Sequence, residues 1–156
     1  MVDTVKYDVI RQEDTFEIRR YPEILVATVE LSTVNPFGYL FRYISGANKP
    51  RTKIDMTSPV ITSEKIAMTS PVISSNITMS FVLPPQYNMG NVPEPTDEKV
   101  TIQKMPSRYI ATVRFRGLAW KESVKKQTMI LVDWLREEKI QAKGSPFLMQ
   151  YNPPFI

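Results

Sequence analysis

Apolar and polar residues alternate with a period of two on both sides of a proline, and they do so twice. Phe16-Glu-Ile-Arg-Arg-Tyr-Pro-Glu-Ile-Leu-Val-Ala-Thr-Val-Glu-Leu31 aligns with Val100-Thr-Ile-Gln-Lys-Met-Pro-Ser-Arg-Tyr-Ile-Ala-Thr-Val-Arg-Phe115 at a constant offset of 84. Alternation predicts strands, and a proline between two such runs predicts a turn, because it fixes φ and cannot donate to a central ladder. Each half therefore opens as strand, proline turn, strand. In the second strand Leu25, Ala27, Val29 and Leu31 share a face, and their mates are Tyr109, Ala111, Val113 and Phe115. This apolar face is predicted to pack on the core. The other face carries Ile24, Val26, Thr28 and Glu30, with mates Arg108, Ile110, Thr112 and Arg114. It is mixed and is predicted to be partly wet.

The period then changes to that of a helix. Asn35 suits an N-cap and Pro36 the first helical position. Phe37, Leu40, Phe41 and Ile44 fall at i, i+3, i+4 and i+7, a single apolar stripe, which makes Phe41 a core residue and leaves Tyr39 and Tyr43 off the stripe. Gly46 or Asn48 is the expected stop. A second helix is predicted from Trp120 to Lys143, with Trp120, Val124, Leu131, Trp134 and Leu135 inward and Gly144 as terminator. Further strands are predicted at Val60–Thr62, Val72–Ser74, Ile77–Leu83 and Phe147–Tyr151. The Pro- and Asn-rich run from Tyr87 to Glu98 reads as a connector between halves. The first half has a closing strand that the second lacks, so an open sheet edge is expected.

A shorter repeat lies inside the first half. Lys53-Ile-Asp-Met-Thr-Ser-Pro-Val-Ile61 returns as Lys65-Ile-Ala-Met-Thr-Ser-Pro-Val-Ile73, with Asp55 against Ala67 the sole difference. The residue before a proline avoids the helical region, so each copy predicts a stiff bend into a short strand. Met56 and Met68 then occupy similar sites, as core gap-fillers or as soft iron ligands. The first role is the simpler one. Asp55 is expected on the surface of a turn.

Composition narrows the chemistry. The 156 residues favour one domain and are 42% hydrophobic and 23% charged, as in ordinary globular chains. The chain has no Cys and no His. That removes thiolate and imidazole metal sites, Cys nucleophiles, His bases and disulfides. Its 16 carboxylates form no spaced acid–base pair, and its five glycines form no phosphate loop. These features argue against catalysis and against a metal site. A net charge of +4 suits an anionic ligand, but no arginine-rich run with interleaved aromatics points to nucleic acid. No apolar stretch reaches the length of a membrane span, and the charged N-terminus is not a secretory signal. A cytoplasmic location is expected.

The tandem Lys-Ile-x-Met-Thr-Ser-Pro-Val-Ile stretches, Phe41-Arg-Tyr-Ile-Ser-Gly-Ala-Asn48, Phe81-Val-Leu-Pro84 and Tyr151-Asn-Pro-Pro154 resemble the SOUL haem-binding protein family across essentially the whole chain. The resemblance implies one α+β domain over residues 1–156. Its fold would be a distorted β-barrel of two pseudo-twofold-related β-β-α-β repeats, halves about 5–86 and 98–156, with two helices packed on it. It also implies kinship with bacterial effector-binding domains, and a last strand, containing Arg-Arg-Asn-Glu, that these residues lack. The implied cofactor is haem or another tetrapyrrole. An axial His, used by some members, cannot apply here. What stays open is an apolar groove beside the first helix, with basic side chains near the propionates.

Candidate ligand-contacting residues follow from that mode. Arg42, Lys49, Arg51 and Lys53 would meet propionates, and Tyr39 and Tyr43, with Phe41 and Trp120, would supply ring surface. Met56 and Met68 would lie nearby, and Glu30 with Arg114 would form a polar pair across the halves. The main expectation is tetrapyrrole binding without His ligation, for carrying or buffering. Two alternatives stand beside it: a module for another apolar or cationic small molecule, with Glu30 attracting the charge, and a protein-interaction module that uses an open sheet edge.

Overall fold

Pro22 and Pro106 mark two of the four points where the chain passes between two compact units. The computed structural model describes residues 3–63, 78–116 and 121–151. The first unit takes Met1–Val5, Glu23–Pro106 and Ser145–Ile156, and the second takes Lys6–Pro22 and Ser107–Gly144. In chain order the elements are β1 (Asp3–Thr4), β2 (Asp8–Glu13), β3 (Phe16–Tyr21), β4 (Ile24–Glu30), α1 (Pro36–Ile44) and β5 (Asn48–Lys49). Then come β6 (Thr57–Ser63), β7 (Thr78–Val82), β8 (Glu94–Pro95), β9 (Thr101–Met105), β10 (Arg108–Val113), α2 (Lys121–Glu137) and β11 (Phe147–Gln150). The second motif copy with Met68, the strand expected at Val72–Ser74, and Trp120 lie outside the described residues.

In the first unit the sheet runs β1-β6-β7-β4-β9, and β11 also pairs with β6. All pairings but β1 with β6 are antiparallel. Pro59 sits where the β6–β7 register slips between Thr57 and Val60, as expected of a residue with no N–H to donate. The core gathers Leu25, Ala27 and Val29 from β4, Leu40, Tyr43 and Ile44 from α1, and Ile54, Val60, Phe81, Leu83 and Val100. The opposite face of β4 departs from expectation. Val26 and Thr28 are buried, and the Thr28 hydroxyl meets the Ser80 hydroxyl at 2.8 Å, so its polar atom is satisfied across the strands. The expected connector also holds β8, which pairs with β5.

In the second unit the sheet runs β10-β3-β2. Sequence alternation did not announce β2, because all six of its residues are exposed. Its turn into β3 places Asp14 at φ 54°, a conformation Asp tolerates. β10 departs from expectation too. Tyr109, assigned to the core by its pattern, is 67% exposed, whereas Thr112 is buried. Among the described residues β10 has a neighbour on one side only, and the sheets do not close into a barrel. Phe16 stacks on Trp134 of α2 at 4.8 Å and 3°.

The two pairings that join the prolines' flanking strands share one register. Ala27 faces Ile102 in β4–β9, and Ala111 faces Ile18 in β10–β3. Shifting both residues of the first pair by 84, one up and one down, gives the second pair.

The helices differ in length for local reasons. Asn35 caps α1 by accepting from the Gly38 N–H at 3.1 Å, and a Cβ on Gly38 would run into the Asn35 side chain. α1 stops at Ile44, with Gly46 at φ 129°. The residues at the same offset in α2 are Ile130 and Val132, in place of Gly46 and Asn48. Neither is a helix terminator, so α2 runs on to Glu137. It ends short of the predicted Lys143, with Lys139 at φ 58° and the Ile140 N–H donating back to the Leu135 carbonyl.

Candidate functional site

The surface of α1 follows from how the helix is turned onto the first unit's sheet. Leu40, Tyr43 and Ile44 are its buried residues. Tyr43 therefore belongs to the core and Phe41, 50% exposed, does not. Two polar anchors set this rotation. The Tyr43 hydroxyl donates to the Pro93 carbonyl at 2.7 Å. Asn48, fully buried, donates to the carbonyls of Tyr43 (2.7 Å) and Thr52 (2.9 Å) and accepts from the Thr52 N–H. Burial, aided by nearby Tyr87, pushes the Tyr43 hydroxyl up to about 12, since a phenolate there would lose its water.

This rotation leaves an aromatic flank on α1. Phe41 stacks on Phe37 with centroids 6.0 Å apart. Phe37 in turn meets Phe81 of the core edge-on at 5.2 Å. The pair is thus a firm apolar shelf with one ring half in solvent. Val34, just before the cap, is also exposed.

The other flank holds a pocket of about 310 Å³, lined by Tyr39, Arg42, Tyr43, Ala47, Thr96, Asp97, Glu98 and Val100. Arg42 lies over the Tyr39 ring, its guanidinium carbon 4.5 Å from the centroid, a cation–π contact. Asp97 accepts from the Lys99 N–H at 2.9 Å. The volume lies at the low end of the roughly 300–1,000 Å³ of ligand pockets.

Of the candidates from sequence, Tyr39, Arg42 and Tyr43 come together here, although Tyr43 lies under the surface and offers no open ring face. Lys49, Arg51 and Lys53 are exposed in the segment after α1, as is Asp55, and Met56 is half-buried against the core as a gap-filler. Glu30 ends β4 in the first unit and Arg114 follows β10 in the second, both exposed. Asp97 and Glu98 were not foreseen. They stand in the segment taken for a connector, and no period marks them. Among the described residues, no group of three or more Asp or Glu side chains could hold a metal ion, and no helix is long and apolar enough to cross a membrane.

Compared with protein families, residues 2–156 match the one described as SOUL heme-binding protein. The chain belongs to this family. Among curated relatives, it is 29% identical over 156 residues to Heme-binding protein 2 of Mus musculus, covering 95% of this chain and 75% of that protein. It is 26% identical over 151 residues to Heme-binding protein 2 of Homo sapiens, covering 92% and 73%. Among solved structures, the crystal structure of the EcmrR C-terminal domain matches with a TM-score of 0.57 and 16% identity, over 90% of this chain and 82% of that one. That likeness speaks to fold. For this SOUL family chain it supports a mixed α+β architecture with two helices and largely antiparallel sheets.

Proposed function

We propose that the protein binds haem or a related planar tetrapyrrole on the Phe37–Phe41 flank of α1, without His ligation, for carrying or buffering. Family membership supports the ligand class. The observation that carries the site is the half-exposed Phe41 ring, backed by Phe37. An apolar disc with carboxylates on its rim needs a flat apolar shelf with cations close by. The pocket on the other flank suits it less well. Asp97 and Glu98 would repel the ligand's carboxylates, and 310 Å³ is small for a macrocycle. For the carboxylates, the exposed Lys49, Arg51 and Lys53 supply positive charge in the segment after α1.

The magnitudes permit this reading. Burying roughly 300 Å² of apolar ring gains about 7 kcal/mol at about 25 cal/mol per Å². Two charge-assisted contacts add roughly 3–6 kcal/mol, and association costs on the order of 4–15 kcal/mol. Micromolar binding, about −8 kcal/mol, is within this range. With no His or Cys in the chain, the iron contributes little, so metal-free porphyrin should bind about as well as haem. Titration with both ligands tests this. A preference for haem of about a hundredfold or more would mean that a strong axial ligand exists, and would overturn the proposed mode.

We also infer that the fold is a tandem duplication with pseudo-twofold character within one domain. The equal registers of Ala27 with Ile102 and Ala111 with Ile18 support it.

A further inference from the structure

A second constellation lies wholly inside the second unit. Glu17, Arg19 and Tyr21 occupy alternate positions of β3 and so share one face. Glu17 and Arg19 are each 5% exposed. Arg19 donates from Nε and Nη2 to Glu17 Oε1 at 2.9 and 2.7 Å, and from Nη1 to the Tyr21 hydroxyl at 2.8 Å. Its guanidinium carbon lies 4.3 Å from the centroid of the Tyr7 ring, and that ring packs against Tyr21 at 4.9 Å. Burial works against the guanidinium charge, but the bond to Glu17, with help from Tyr21 and Tyr7, outweighs it and holds Arg19 above its ordinary range.

The repeated strand pattern does not by itself call for these charges. At the same offset, β9 carries Thr101, Gln103 and Met105. Nor is a buried ion pair a strong source of stability by itself. The guanidinium meets a carboxylate, a phenol oxygen and an aromatic face. These are the groups that recognise an organic cation, and a planar fork fits them better than a point charge does.

We infer that Tyr7, Glu17 and Tyr21 form a cation cage for a guanidinium or amidinium group, and that Arg19 is its built-in occupant. Arg19 is then a specificity-determining residue. It closes the cage to external organic cations. The inference uses none of the residues of the α1 flank, so it stands or falls apart from the tetrapyrrole reading.

The test compares wild type, Arg19→Ala and the double variant Glu17→Gln/Arg19→Ala. Each is titrated with millimolar methylguanidinium chloride against equal sodium chloride, with Tm and the tyrosine NMR signals as readouts. In Arg19→Ala, methylguanidinium should raise Tm saturably beyond the effect of salt, as a ligand of the native state does, and should shift the Tyr7 and Tyr21 signals. If that variant is unfolded alone, methylguanidinium should restore its native circular dichroism and sodium chloride should not. Wild type and the double variant should show no such response. The inference is overturned if methylguanidinium and sodium chloride act alike on Arg19→Ala, folded or unfolded. It is overturned equally if the double variant is rescued as well, or if wild type binds the cation saturably.

Discussion

β4 and β10 carry nearly the same alternation, yet they live in different surroundings. Leu25 on β4 is 6% exposed and its mate Tyr109 on β10 is 67% exposed. β4 lies between β7 and β9, whereas β10, among the described residues, pairs with β3 alone. Equal patterns therefore give unequal burial, because the face of β4 that carries Leu25 is covered by the core cluster, whereas the ring of Tyr109 is left in solvent. The first strands of the two halves differ in the opposite sense. β3 buries Glu17 and Arg19, whereas β9 has Thr101 and Gln103 in their places.

The largest expected effect lies on β3. Glu17→Ala leaves the Arg19 guanidinium buried without its carboxylate and should destabilise by about 3–5 kcal/mol. Thr101→Ala, at the mate position, should stay within about 0.5 kcal/mol. Denaturant unfolding of both variants checks this, and equal losses would break the comparison.

Next comes the second strand. Leu25→Ala should cost about 2–5 kcal/mol as a buried large-to-small change, and Tyr109→Ala no more than about 0.5 kcal/mol. Denaturant midpoints of the two variants check this. If Tyr109→Ala proved as costly, β10 would have a partner in solution besides β3.

A smaller effect distinguishes the helices. Tyr43 on α1 has Gln127 as its mate on α2, so this buried phenol belongs to the first half alone. The Tyr43 hydroxyl is raised from 10.0 to about 12. The native state therefore holds this proton longer than the unfolded chain does. Its contribution is fully present below about pH 10 and is lost as pH rises through about 12, with a total on the order of 2–3 kcal/mol. Denaturant midpoints measured from about pH 9 upward should fall more steeply for wild type than for Tyr43→Phe. Parallel curves would show that Tyr43 is not the group responsible.

Much of the fold could be read from alternation and punctuation. The prolines, the Asn35 cap and the Gly46 stop each act through local backbone chemistry, so the sequence carries them directly. The rotation of α1 could not be read. A stripe of Phe37, Leu40, Phe41 and Ile44 and one of Leu40, Tyr43 and Ile44 differ by roughly half the 100° step per residue. The choice between them was made by Asn48 and the Pro93 carbonyl, which are tertiary contacts. For the same reason the exposed ring was assigned to the wrong residue. Asp97 and Glu98 escaped notice because a loop has no period, and only the fold brings them opposite Tyr39. Arg42 was legible as a candidate, since an exposed cation on a helix needs no tertiary explanation.

Phe41 and Tyr109 are both exposed aromatic rings, one on the proposed binding flank of the first unit and one on β10 of the second. The most direct measurement is the affinity of metal-free porphyrin for wild type, Phe41→Ala and Tyr109→Ala. Removing the Phe41 ring should weaken binding about tenfold or more, which corresponds to about 1.4 kcal/mol or more, and removing Tyr109 should leave it unchanged. Unaltered affinity in Phe41→Ala, or equal losses in both variants, would contradict a ligand shelf on α1.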